Sequence, residues 1–263
     1  LTIFETGNAL MPTAGQSSEA TIPARNAQFP WDDFAADAYH EHNYDSLRED
    51  DEEILSLVSS WFTDAAVGPA LHGLDVGAGP NLYPALAMLP HCARITLREY
   101  SASNVQWLRG ATAALDERWR PFWQVVSPDD GRGGFESARA ELARSAQVEQ
   151  GSVFDLPEAG WDLGTMFFVA ESISQDPAEF EAATGAFVRA LRPGSPFAAA
   201  FMERSQGYEV GGIAFPATSV GESEISGCLE QVATDLKVQR VQVRPAPLRP
   251  GYTGYVVAIG RAK

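Results

Sequence analysis

From Leu71 onward, short apolar runs alternate with segments whose apolar residues recur every three or four positions. That alternation is the pattern of βα units laid on a parallel sheet. It predicts an α/β fold with strands at 71–76 (LHGLDV), 94–99 (RITLRE), 147–153 (QVEQGSV), 162–170 (DLGTMFFVA) and 196–202 (PFAAAFM), and helices at 81–89, 101–116, 134–145 and 177–192. The last helix ends in LRPG, where Pro193 cannot continue a helix and Gly194 suits the turn. Past residue 203 the order changes to a glycine-rich connection (GYEVGGIAF) and a helix at 222–234. KVQRVQVRP and GYVVAIGRA follow with period-two alternation across the turn-rich PAPLRPGYT, so they are expected to pair antiparallel at the sheet's edge.

Upstream, WDDFAADAYHEHNY places Phe34, Ala38 and Tyr39 at helical spacing. DEEILSLVSSWF predicts a second helix, with Ile54, Leu57, Val58 and Trp61 on one face and the acidic run 49–53 as a solvated helix start. Residues 1–30 have no periodicity and read as a flexible leader or a lid. The chain thus reads as one domain over 31–263, a helical cap at 31–68 on an α/β core at 69–263.

Charge narrows the function classes. Thirty-five acidic residues against nineteen basic ones give a formal net charge of -16, and no basic block breaks that excess. Nucleic acid and anionic membranes are therefore poor partners, and no run approaches the roughly 20 apolar residues of a membrane span. The first residues lack a basic stretch followed by an apolar one, so a cytoplasmic location is expected. Two cysteines, Cys92 and Cys228, with no CxxC and no histidine pair at ligand spacing, argue against a disulfide framework or a zinc site. They read as core thiols, and no metal is expected. Arginine far exceeds lysine, present only at 237 and 263, and alanine is abundant, a bias that suggests a GC-rich bacterial genome.

Candidate chemistry begins at LDVGAGPNLY, residues 74–83. A strand followed by Gly77, Ala78, Gly79 and a helix brings backbone N–H groups close to a ligand at the strand's C-terminal end. A dinucleotide fingerprint would need glycine at 82, where Leu82 stands, and no GK[ST] follows. Two acids point elsewhere. Glu99, at the end of the next strand, is placed to accept hydrogen bonds from a ribose diol, and Asp75, behind the loop, can attract an ammonium group directly or through water. Ribose at one end and a charged amino acid at the other describe S-adenosylmethionine. The plainer alternative is an ordinary βα turn with two solvated acids.

Other residues carry weaker signals. Glu171 ends a central strand, where open sheets hold ligands. His40 and His42 are expected at the surface, and Trp107, Trp119, Trp123 and Trp161 in packing roles.

Several motifs together resemble class I methyltransferases. Within that class the chain is similar to the nicotinamide, phenylethanolamine and indolethylamine N-methyltransferase family, which includes thioether S-methyltransferases. The resemblance rests on Asp75, Gly77, Gly79, Pro80 and Tyr83 in an acid-x-G-x-G-P turn with a following tyrosine. It rests also on EYSASN at 99–104, and on Tyr39 and Tyr44 five apart in YHEHNY.

The resemblance implies a Rossmann-like seven-stranded sheet, mostly parallel with an antiparallel last strand, and a cap folding over the cofactor. Tyr39, Tyr44 and Tyr83 would surround the methionine moiety, Glu99 the ribose, and Tyr100 and Asn104 the adenosine. Ser152 and Val153 fall beside the adenine, where the family has an acid before the apolar residue; the adenine amino group would then meet Ser152, backbone or Asp155. FFVAES would bring Phe167, Phe168, Val169 and Glu171 near the methyl group. Tyr208 matches a pocket tyrosine, with Phe215 in the same connection; either could also simply pack. The family's acid after the fifth strand aligns with Phe201, and Glu203 lies two residues on. Phe168, Glu171, Glu203, Tyr208 and Phe215 are thus the candidate acceptor contacts, and Glu171, Tyr39 and Tyr208 the catalytic candidates.

The implied activity is methyl transfer from S-adenosylmethionine to a small molecule at an amine or heterocyclic nitrogen, releasing S-adenosylhomocysteine, by a monomer or homodimer. Alternatives are O- or C-methylation of an aromatic intermediate, or a domain that binds the cofactor without turnover. A neutral nitrogen or thioether needs no base, whereas an ammonium or phenol would make Glu171, Glu203 or a histidine relevant.

Overall fold

The computed structural model describes residues 24–65, 70–128 and 134–263. The leader's residues 1–23 lie outside the described residues. Seven strands form one sheet: β1 (Leu71–Val76), β2 (Cys92–Glu99), β3 (Ala146–Gln150), β4 (Leu163–Phe167), β5 (Pro196–Glu203), and a pair separated from them by a hairpin. That hairpin is β6 (Tyr208–Val210) with β7 (Ile213–Phe215), and the pair is β8 (Ala233–Val241) with β9 (Gly254–Ala262). The order across the sheet is β3-β2-β1-β4-β5-β9-β8. The first five strands are parallel, and β9 runs antiparallel to both β5 and β8. This is the Rossmann-like class I architecture anticipated from the motifs.

Helices cover both faces: α1 (Ala36–Tyr44), α2 (Glu49–Ala65), α3 (Tyr83–Met88), α4 (Ala102–Ala113), α5 (Arg120–Val126), α6 (Gly134–Ser145), α7 (Pro177–Ala190) and α8 (Glu222–Leu229). Two large apolar clusters occupy the two sides of the sheet, and a smaller one of Trp31, Phe34, Val210 and Phe215 ties the N-terminal segment to the β6–β7 hairpin. No described helix is long and apolar enough to cross a membrane. Cys92 and Cys228 are both buried and free.

The differences from the sequence reading are local. β3 stops at Gln150, three residues early, because Gly151 breaks the ladder and Ser152 caps a short 3-10 turn, its Oγ accepting from Phe154 N at 3.1 Å. β4 stops at Phe167, since Phe168 takes φ +60, a left-handed conformation that ends a strand. The helix expected over 222–234 ends at Leu229, and the following strand starts at Ala233 rather than 237, because its register is set by pairing with β9. α5 was not anticipated; a proline in its first turn starts it, and it buries Phe122 and Trp123. On α2 the buried face is Ile54, Leu55, Val58 and Phe62, with Leu57 and Trp61 half-buried at its margin.

The acidic start of α2 is solvated only in part: Glu49 and Glu52 are exposed, but Asp50 and Asp51 are buried. Asp50 is fully buried, with Oδ2 2.9 Å from Arg48 Nη2 and accepting from Arg244 N at 2.9 Å. Burial and the neighbouring Asp50 raise the Asp51 pKa to about 7.

Candidate functional site

β1 has β2 on one side and β4 on the other, so chain connections leave its two flanks in opposite directions and a crevice opens at the strand ends. There the glycine turn takes φ +61 at Gly77 and +54 at Gly79. A Cβ on Gly77 would stand 2.6 Å from Val169 Cγ1, so only glycine fits. Glu99 closes the turn from the next strand. Its Oε2 accepts from Gly79 N and its Oε1 from Ser101 N, both at 2.8 Å. Burial raises its pKa, opposed by those two N–H groups, and each oxygen retains capacity for a further donor. Beside it, the Asn104 side-chain oxygen is buried without a partner.

These groups line a cavity with about 800 Å³ of empty space, open solvent at its mouth included. Of the predicted cofactor contacts, Tyr39, Tyr44, Gly77, Ala78, Gly79 and Glu99 face it, as do Tyr100, Asn104, Ser152, Val153 and Phe168. Tyr208 faces it too, and its hydroxyl donates to Ser172 O at 3.4 Å. Phe168 lines the cavity in the strained left-handed region, a conformation that persists only where the surroundings enforce it.

Asp75 and Tyr83 are not brought to the cavity wall. Asp75 is buried under the turn, where Thr165 Oγ1 donates to it at 2.8 Å and desolvation lifts its pKa to about 8. Asp75 thus lies behind the loop and off the cavity wall, with Oδ2 free of a partner. Tyr83 is also fully buried, stacked on Phe122 at 5.8 Å and edge-on to Tyr44 at 5.9 Å. It braces Tyr44 from behind.

Three acceptor candidates also fall elsewhere. Glu203 is held on the β8–β9 side by Arg240 Nε at 2.8 Å and Thr253 Oγ1 at 2.6 Å, so its carboxylate is already partnered. Phe215 lies behind Tyr208, stacked at 5.5 Å, and against Trp31 at 5.0 Å. Glu171 is fully buried one layer behind the wall. Its Oε1 accepts from Met202 N at 2.8 Å, and its Oε2 has no partner. Desolvation raises its pKa to about 7, against the lowering effect of Met202 N and, more weakly, of Arg249.

Sequence reasoning missed several wall residues. Asn26, Trp31 and Phe34 come from the leader and cap, and Ser172 and Ile173 from the loop after β4. The density of aromatics in FPWDDF was the available signal. His40, expected at the surface, is buried instead, its Nδ1 3.3 Å from Pro80 O and its ring 5.0 Å from Trp107. It secures the glycine turn to α1. His42 remains exposed.

A second cavity adjoins the first, with about 1090 Å³ of empty space on the same measure. Tyr39 and Tyr208 form the shared wall, and Arg249, from the loop between β8 and β9, lines the far side. No sequence motif pointed to Arg249.

Comparison with known proteins accords with this geometry. Residues 25–252 match the model of the NNMT/PNMT/TEMT family. Phenylethanolamine N-methyltransferase of Macaca mulatta is 24% identical over 92% of this chain and 92% of its own. The Bos taurus enzyme of the same name is 26% identical over 76% of this chain and 74% of its own. Among solved structures, the apo form of the S-adenosylmethionine-dependent methyltransferase SibL superposes with a TM-score of 0.50 at 17% identity, covering 81% of this chain and 55% of that one.

Proposed function

The chain belongs to the NNMT/PNMT/TEMT family and is an S-adenosylmethionine-dependent methyltransferase, and from that premise we propose that its acceptor is the nitrogen of a small amine or aromatic heterocycle. The relatives carry this reading: the Macaca mulatta protein matched over 92% of this chain is a phenylethanolamine N-methyltransferase. Glu171, one layer behind the aromatic wall with one oxygen free and a pKa raised to about 7, would take the proton of an ammonium acceptor through an intervening water.

The residues present fit the cofactor. Glu99 offers acceptor lone pairs to a ribose diol, and the orphaned Asn104 oxygen awaits a donor. Tyr39, Tyr44 and Phe168 give a cation an aromatic lining. When bound, the sulfonium supplies an activated methyl group whose S–C bonding pair leaves with sulfur, so an acceptor needs only an aligned lone pair. The protein's work is then alignment and exclusion of water. Tyr39 and Tyr208 supply flat walls against which an aromatic or aliphatic acceptor is oriented. Trp31 and Phe34, packed on Phe215, add an aromatic wall from the N-terminal side. Asp75 and Tyr83 act from behind, holding the turn and Tyr44.

The test is release of S-adenosylhomocysteine across amines, pyridines, phenols and thioethers, with the methyl position in each product mapped by NMR. Methyl groups found on nitrogen support the reading. Transfer only to oxygen, carbon or sulfur overturns it.

A further inference from the structure

The second cavity, across from the tyrosines it shares with the first, holds an arginine without a carboxylate partner at close range. Among the described residues, no carboxylate lies within ion-pair distance of Arg249. The guanidinium instead stacks over the Tyr208 ring, Cζ 4.6 Å from its centroid, with Nη2 2.8 Å from Met202 Sδ. Nε is buried without an acceptor. A guanidinium donor removed from water and left unpaired is costly, and a thioether is a weak substitute for an oxygen acceptor.

The loop that carries it is anchored on both sides. Arg48 Nη2 donates to Arg244 O at 2.9 Å and Ala246 O at 2.8 Å, and Arg244 N donates to the buried Asp50 at 2.9 Å. Leu248 N donates to the Tyr252 hydroxyl at 3.1 Å, and Thr253 N to Glu203 O at 2.9 Å. The acidic start of α2 and the misplaced Glu203 thus share one use: they fix the segment from which Arg249 projects.

Arg249 lines the second cavity together with Tyr39 and Tyr208, and both tyrosines also line the first. We infer that the methyl acceptor bears a carboxylate as well as its nitrogen, the carboxylate being received by Arg249 in the second cavity and the nitrogen presented past Tyr39 and Tyr208 to the first. This rests on the nitrogen reading above. A carboxylate is favoured over a phosphate because the second cavity offers one guanidinium and no lysine, and carries Glu209 on its rim. A dianion would meet too little positive charge there. Guanidinium also matches a carboxylate in shape, through paired N–H donors.

The test uses the full-length protein with S-adenosylhomocysteine bound, titrated calorimetrically with paired probes that differ only in the acid group. The pairs are tyrosine and tyramine, tryptophan and tryptamine, histidine and histamine, and nicotinate and nicotinamide. The expected result is that in at least one pair the carboxylate member binds ~10- to 100-fold more tightly, the range of one charge-assisted contact. Arg249→Gln should collapse that ratio toward one while the affinity for S-adenosylhomocysteine is kept, which also certifies the variant's fold. If no carboxylate member outbinds its partner, or if Arg249→Gln leaves the ratio unchanged, the inference is wrong. Mapping the methyl position in turned-over members separates the two readings. A carboxylate acceptor methylated on oxygen overturns the nitrogen assignment alone, and a neutral amine preferred over its acid overturns the role of Arg249 alone.

Discussion

The cofactor side of the cavity and its acceptor side are built in opposite ways. The first comes from the ends of β1, β2 and β3 and the turns directly after them, so Gly77, Glu99 and Ser152 are placed by three neighbouring parallel strands. The second is assembled from α1, the loop after β4, the β6–β7 hairpin and the β8–β9 loop, segments that meet only in the finished fold. A binding surface made by strand ends is inherited with the sheet. One made by remote loops can be rebuilt without disturbing it, which suits a constant cofactor beside a variable acceptor.

Breaking the first side should have the largest effect. Glu99→Ala removes the acceptor for Gly79 N, Ser101 N and the ribose together, and is expected to weaken S-adenosylmethionine by ~100-fold or more on the scale of charge-assisted hydrogen bonds. Gly77→Ala comes next. It forces a Cβ against Val169 at a φ of +61, with an expected loss of about 1–3 kcal/mol in thermal stability and a weaker cofactor. Adding Val169→Ala should recover only the steric part of that loss, because the dihedral remains; full recovery would mean the turn's conformation is not strained.

On the acceptor side the expected effects are smaller and depend on pH. Glu171 is protonated below about 7, so kcat/KM for an ammonium acceptor should rise as pH passes upward through 7, and Glu171→Gln should remove that limb. Stability should move the other way. The folded-state pKa values of Glu171 (about 7), Asp51 (about 7) and Asp75 (about 8) are raised. Their contribution is therefore full below the ordinary carboxylate range, declines as pH rises from there, and is gone once pH has passed through 7 to 8. A melting temperature that falls between about pH 5 and 8, levels above, and falls less in Asp75→Asn, checks the sign. The smallest effect is expected from Tyr208→Phe, which deletes one long hydrogen bond to Ser172 O and keeps the ring, within about 1 kcal/mol in acceptor affinity.

The same division governs what the sequence disclosed. Gly77 and Glu99 were expected at the cavity because glycine spacing and an acid at a strand's end carry their geometry locally, and Tyr100 and Asn104 only because EYSASN resembles a family motif; all four line it. Asp75 and Tyr83 had the right neighbours in sequence but point under the turn, a matter of side-chain direction that spacing does not encode. Arg249 carried no local signal at all. Its position depends on Arg48 and Asp50, some two hundred residues earlier, reaching the β8–β9 loop. His40, Asp50 and Asp51 looked solvated because polar residues usually are; burial became affordable only through partners supplied by distant segments.

The most direct test of this division is the dissociation constant of S-adenosylmethionine measured by calorimetry on the wild-type protein, Glu99→Ala and Arg249→Gln. Tight binding to the wild type and to Arg249→Gln, with a loss of ~100-fold in Glu99→Ala, is the expected result. Equal binding to wild type and Glu99→Ala, or a comparable loss in Arg249→Gln, would contradict it.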